Sequence, residues 1–65
     1  MQYNSEVIKE MAGILTSRGF DLASITNYAI ATEHRAAEYV VWLKNNPEAT
    51  PEETAREAIA ISKMP

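Results

Sequence analysis

The fold is decided by residues 22–44, which read LASITNYAIATEHRAAEYVVWLK and contain neither Gly nor Pro. Apolar or small residues recur along this stretch at heptad spacing: Leu22, Ile25, Ala29, Thr32, Ala36, Tyr39 and Leu43. Such a stripe predicts one long central helix, in which Thr32 is the weakest position. The alternative is a bend or break near Thr32 to His34. Residues 39–43 also have strand propensity, but their Ala-rich approach and the lack of a partner strand favour a helix.

A second stripe of the central helix points away from the first, and its members follow one another at three or four residues: Ile30, His34, Ala37 and Val41. A helix that is apolar on two sides is normally buried on two sides. Either the last helix covers this stripe, or the stripe stays open for a partner or a second copy of the chain. Trp42 lies at the edge of the first stripe and belongs to a residue type that dominates binding hot spots. We therefore predict a protein interface formed by Ile30, His34, Ala37, Val41 and Trp42.

A first helix is predicted over residues 5–18, with Asn4 or Ser5 as its cap. Its apolar residues fall on one face: Val7, Ile8, Met11, Ile14 and Leu15. Gly19 suits the position after the helix, where a left-handed backbone is common. Gly13 lies inside the helix, where it costs about 1 kcal/mol relative to Ala, and we expect a close helix contact to explain it.

A third helix is predicted over residues 51–63. Its start, TPEE at residues 50–53, matches a capping box with Pro at the first helical position. Ile59 and Ile61 are the only large apolar residues inside it. We therefore expect this helix to cover the central helix incompletely.

These three helices predict an all-α fold, a small three-helix bundle with a long central helix, in a single domain spanning residues 1–65. Hydrophobic residues make up 46% of the chain and charged residues 23%, which is typical of globular proteins. A chain of 65 residues buries only a modest share of its surface, and without cysteine it has no disulfide to stabilise it. Small domains of this kind often gain stability by association, so we expect a homodimer.

No motif in the chain indicates catalysis. His34 is the only histidine, and with Glu38 it offers two candidate ligands on one face, fewer than a zinc site needs. We interpret His34 as a structural residue that pairs with Glu38, for which Arg35 competes. The serines lack a nucleophile-elbow context, and no Gly-rich phosphate loop is present. We therefore predict no enzyme activity, no catalytic residue, no metal and no cofactor.

The net charge of −3 and the scattered basic residues do not favour nucleic-acid binding, which depends on phosphate neutralisation. The alternative is a chain that looks like a helix-turn-helix reader, in which residues 34–44 form the recognition helix and Arg35 and Lys44 reach DNA. No stretch is apolar for long enough to cross a bilayer, and no secretory pattern is seen. We expect a complete, cytoplasmic gene product without a membrane partner.

The order Arg18-Gly19-Phe20, then a helix, then Trp42-Leu43 near the end of the next helix resembles a ubiquitin-associated domain over residues 5–45. That family is a compact three-helix bundle with a Met-Gly-Phe or Met-Gly-Tyr loop after its first helix. Here Arg18 stands at the Met position. The resemblance implies a binding module in which Gly19 and Phe20 contact ubiquitin.

The function we expect from the sequence is that of a small regulatory or adaptor-like protein–protein interaction module, which acts through an apolar helix face. Two alternatives stay open. One is nucleic-acid binding through the region around Arg35, and the other is a module like the ubiquitin-associated domain.

Overall fold

The computed structural model describes residues 5–65. Its elements are helix α1 (Ser5–Ser17), helix α2 (Leu22–Thr32), a 3-10 turn (Glu33–Arg35), helix α3 (Ala36–Asn45) and helix α4 (Pro51–Ser62). The described part of the chain has no strand, and the predicted all-α fold is confirmed. The bundle consists of α1, a central arm made of α2 and α3, and α4. Asn4, one of the two candidate caps of α1, lies outside the described residues.

The central arm is broken where the sequence allowed a break. Thr32 is fully buried, and its hydroxyl donates to the Tyr28 carbonyl at 2.8 Å and lies 3.8 Å from the Met11 sulfur. A threonine that bonds the carbonyl four residues earlier commonly bends a helix. The backbone then leaves the helical region at Arg35, with φ −142° and ψ 38°, before α3 begins. The arm is therefore two helices joined by the 3-10 turn.

The end of α1 is closed by Gly19, as predicted. Its φ is +92°, and its amide donates to the Thr16 carbonyl at 3.0 Å, while the Phe20 amide donates to the Leu15 carbonyl at 3.1 Å. This is the Schellman arrangement, which satisfies the last carbonyls of a helix. The Phe20 ring then packs edge-on against Tyr28, with 5.7 Å between ring centroids. The turn thereby directs the chain back onto α2.

Arg18 joins the end of α1 to the end of α3. Its Nη2 donates to the Leu43 carbonyl at 2.6 Å and its Nη1 to the Asn46 carbonyl at 3.2 Å. Carbonyls in the last turn of a helix lack intrahelical partners and carry partial negative charge. The Arg18 guanidinium therefore supplies hydrogen-bond donors to the carbonyls at the end of α3, while Gly19 provides the turn that ends α1.

One apolar core joins the four helices, and its buried members are Met11, Leu15, Ile25, Ala36, Tyr39, Val40, Leu43, Ala58 and Ile61. Helix α1 packs on both α2 and α3, whereas α4 packs mainly on α2. Val40 is 4% exposed and its neighbour Val41 is 56% exposed, so these two positions separate the inner and outer faces of α3.

Helix α4 begins at the predicted capping box. The Thr50 hydroxyl accepts from the Glu53 amide at 3.0 Å, and the Glu53 carboxylate accepts from the Thr50 amide at 2.9 Å. The buried Tyr39 hydroxyl donates to the Thr54 carbonyl at 2.9 Å, which ties α3 to the first turn of α4. Burial raises the pKa of the Tyr39 phenol well above its ordinary value of about 10.

The expected helix contact at Gly13 is wrong. Gly13 is exposed, and a Cβ atom added there would meet nothing within 4 Å. The glycine is therefore a cost to α1 that no packing contact offsets.

Replacing Gly13 by Ala should raise the free energy of unfolding by about 1 kcal/mol, because Ala restricts the unfolded chain and favours the helix. Urea unfolding followed by circular dichroism measures this. Gly19→Ala is the matched control: it also meets open space, but its positive φ should make the same change destabilising. A loss of stability in Gly13→Ala would contradict the structure.

Tyr39→Phe should lower the free energy of unfolding by about 1 kcal/mol near neutral pH, because it removes the hydrogen bond to Thr54. The folded state holds the phenol protonated, so its contribution is complete below the unfolded pKa of about 10 and is lost as pH rises further. The difference between the two proteins in urea should therefore shrink above that pH. A difference that does not change with pH would place Tyr39 outside the core.

Candidate functional site

An open groove lies between α3 and α4, because α4 packs mainly on α2 and leaves the outer side of α3 uncovered. Two adjoining depressions form it, with volumes of about 720 Å³ and 470 Å³. Trp42, Asn45 and Glu57 line both depressions, so they form one continuous surface, the α3–α4 groove.

One end of the α3–α4 groove is apolar. Ala37 and Val41 line it from α3, Ile61 from α4, and Met64 from the segment that follows α4. Ile61 is buried and forms the floor, whereas Val41 and Met64 are exposed. This end therefore offers apolar side chains that no other part of the described chain covers.

The other end of the groove is acidic. Glu48 lines it from the loop before α4, and Glu53, Arg56 and Glu57 line it from α4. Arg56 is already paired with Glu52, which lies outside the groove, at 2.7 Å. The positive charge in this part of the groove is therefore offset by a neighbour, and the surface facing solvent is predominantly negative.

Trp42 lies between the two ends and is held in place from below. It is half-buried, and its ring lies nearly parallel to that of Tyr39, at an angle of 4° with centroids 6.3 Å apart. Tyr39 is itself fixed by its hydrogen bond to Thr54. The Asn46 side-chain amide, through Nδ2, also donates to the Trp42 carbonyl at 2.8 Å. The indole is thus positioned before any partner binds.

The structure places the five predicted interface residues at the surface but does not bring all of them together. Ala37, Val41 and Trp42 line the α3–α4 groove. Ile30 is 65% exposed and lines a separate depression of about 160 Å³ beside α1. His34 is exposed and lines neither the groove nor this depression, and its Nε2 lies 3.0 Å from the Met64 carbonyl. The 3-10 turn separates Ile30 from the rest, because its tighter winding changes the helical phase.

The predicted pair of His34 with Glu38 is wrong, and the competing pair of Arg35 with Glu38 forms instead. Arg35 forms an ion pair with Glu38, while the His34 ring contacts the carbonyl of Met64. Arg35 also donates from Nε to the Pro65 carbonyl at 3.0 Å. Both side chains therefore hold the segment after α4 against the 3-10 turn.

Sequence reasoning missed the contribution of α4 and of the segment after it to the groove. Glu53, Arg56, Glu57 and Ala60 line the groove at spacings of three and four residues, which is the pattern of one helix face. That spacing was readable in the sequence. No such spacing predicts the position of Met64, because this residue follows the helix. It lies beside Val41 because His34 and Arg35 of the 3-10 turn contact the carbonyls of Met64 and Pro65.

The described residues 5–65 contain no group of three or more His, Asp or Glu side chains arranged to hold a metal ion. Within the same range, no helix combines the length and apolar character needed to cross a membrane. Among the buried side chains of that range, every polar atom has a hydrogen-bond partner. The side chains that line the α3–α4 groove include an indole, apolar groups and carboxylates.

Residues behind the two alternative functions are engaged within the chain. Phe20 packs against Tyr28, and Arg35 is bonded to Glu38 and Pro65. Comparisons with protein-family models, with curated proteins and with solved structures find no match to this chain. The likeness of residues 18–20 to a ubiquitin-associated domain therefore stays a prediction.

Proposed function

We propose that this chain is a small regulatory or adaptor-like protein–protein interaction module, which binds its partner through the outer face of α3 in the α3–α4 groove. The observation that carries the proposal is the pairing of Val41, 56% exposed, with the adjacent half-buried Trp42. Contiguous exposed apolar surface on a small protein commonly marks an interaction site. Tryptophan at the centre of such a surface is the residue type most enriched in binding hot spots.

The rigidity of the groove supports the same proposal. Tyr39 stacks beneath Trp42, and its hydroxyl is fixed to the first turn of α4. A side chain that is already ordered loses little conformational entropy on binding, which favours affinity. The module therefore presents its anchor residues in a preformed arrangement.

The proposal includes a homodimer and a cytoplasmic location. Ile30, 65% exposed, lies beside Ile8 and Ala29 in the separate depression, where a second copy of the chain would bury it. Burial of apolar surface is the main favourable contribution to association.

Light scattering over a concentration series should show a mass that doubles, and Ile30→Glu should return it to the monomer value. A monomer at every concentration would remove the dimer from the proposal.

Neither alternative function has an observation that favours it. Arg35 would have to give up its contacts with Glu38 and Pro65 to reach a phosphate. Phe20 would have to leave Tyr28 to contact ubiquitin.

Val41→Glu should abolish binding of a protein partner while leaving the fold intact, because the side chain projects from the outer face of α3. The free energy of unfolding should change by less than about 0.5 kcal/mol, as for surface substitutions generally. Circular dichroism and urea unfolding test the fold, and co-purification of partners from cells, with the unchanged chain alongside, tests the binding.

Val40→Glu is the matched control, since it makes the same change one residue away in the core. It should unfold the chain, because an unpaired charge is costly in an apolar interior. If Val41→Glu retained every partner of the unchanged protein, the outer face of α3 would not be the binding surface.

A further inference from the structure

The net negative charge of the protein is located in the α3–α4 groove. The chain has nine acidic and six basic residues, which give a net charge of −3. Five of these line the groove, four of them acidic and one basic: Glu38, Glu48, Glu53, Glu57 and Arg56. The charged residues elsewhere are balanced in sign, so the groove accounts for the whole net charge.

Three of these carboxylates, those of Glu48, Glu53 and Glu57, are in no ion pair within the described part of the chain, and that of Glu53 instead accepts from the Thr50 backbone amide. The pairs found there are Arg35–Glu38, Lys44–Glu10 and Arg56–Glu52, none of which includes Glu48 or Glu57. Glu57 also lies at the junction of the two depressions, beside Trp42. Its carboxylate is therefore placed to meet a cation that enters the groove next to the indole.

We propose that the α3–α4 groove binds a basic, amphipathic helical segment of another protein. This inference rests on the proposed function and names the chemistry of the partner. Lysine or arginine side chains of the segment meet Glu48 and Glu57, while its apolar face covers Val41 and Trp42. The division of the groove into an acidic end and an apolar end fits a segment with both kinds of side chain.

A helical segment fits this site better than an extended one. The described residues present no strand edge to which an extended peptide could add. A groove between two helices is the usual seat of an amphipathic helix, whose apolar residues recur on one face. Helix α3 has 10 residues and is therefore about 15 Å long, which matches roughly three turns of a docked helix.

A second copy of this chain does not fit the groove. In a symmetric dimer the same surface meets itself, so Glu48 and Glu57 of one copy would face the same carboxylates of the other. Like charges brought together in an interface oppose association. The groove is thus suited to a partner of opposite charge, and the Ile30 depression stays available for self-association.

The test uses a synthetic helical peptide of roughly four turns with leucine along one face and lysine at the positions that flank this face, at 3.6 residues per turn. Trp42 is the only tryptophan in the chain, so its fluorescence reports occupation of the groove. The peptide should shift the emission and protect the indole from acrylamide. Its affinity should fall as salt is raised, because exposed charge pairs are screened. A matched peptide with glutamate in place of lysine should not bind.

Substitutions then locate the contact. Glu57→Gln should weaken the lysine peptide roughly fivefold, the upper range for one exposed charge pair. Glu33→Gln is the matched control, since it makes the same change outside the α3–α4 groove and should leave the affinity unchanged. Val41→Gln, which removes an apolar contact without adding charge, should weaken both affinity and acrylamide protection.

Three outcomes would overturn the inference: no binding of the lysine peptide up to ~1 mM, equal binding of the glutamate peptide, or equal weakening by Glu57→Gln and Glu33→Gln. Failure of the proposed function has a different signature, since Val41→Glu would then keep its cellular partners. If Val41→Glu lost those partners while the lysine peptide did not bind, the interface would stand and only the basic chemistry of the partner would be rejected.

Discussion

The hydrogen bond from the buried Thr32 hydroxyl to the Tyr28 carbonyl is the interaction on which the rest of this structure depends. It ends α2 at a residue fully enclosed by the core, beside Met11 of α1. A straight helix through this point would carry one continuous outer face. With the break, α1 packs on both halves of the arm and α4 follows α2, which leaves the outer face of α3 uncovered. The α3–α4 groove is the consequence.

Tyr39 connects this packing to the candidate site. Its ring belongs to the core, its hydroxyl bonds the Thr54 carbonyl, and its face supports the ring of Trp42. The same residue therefore stabilises the junction of α3 with α4 and orders the aromatic side chain at the centre of the groove. Tyrosine suits this double role, because its ring fills the core while its hydroxyl group has a hydrogen-bond acceptor.

The basic side chains and the groove carboxylates differ in how far they are paired within the protein. Three of the five basic side chains outside the groove make internal contacts: Arg18 with carbonyls at the end of α3, Arg35 with Glu38, and Lys44 with Glu10. Glu48 and Glu57 have no such ion pairs within the described part of the chain. Part of the positive charge therefore holds helices together, while negative charge remains beside the exposed apolar face. A surface of that kind selects partners by sign of charge as well as by apolar contact.

Local sequence patterns determined the helices and their ends. The heptad stripe of the central arm, the positive φ of Gly19 and the Thr50 capping box depend on residues only a few positions apart, so they could be read without the fold. Helical spacing also places Ala37 and Val41 on one face of α3, although it does not decide whether α4 covers that face. Gly13 was misread because its surroundings depend on where distant helices lie, and nothing in its neighbours reports an empty space.

Only the tertiary structure decided which surface residues share one site. It moved Ile30 to a separate depression, since the 3-10 turn between α2 and α3 changes the helical phase. It added Glu57 to the groove, because α4 packs mainly on α2 and turns this residue toward α3. It added Met64, because His34 and Arg35 hold the segment that follows α4. Spacing along one helix fixes which side chains share a face, but the meeting of two helices is set by packing of the whole core.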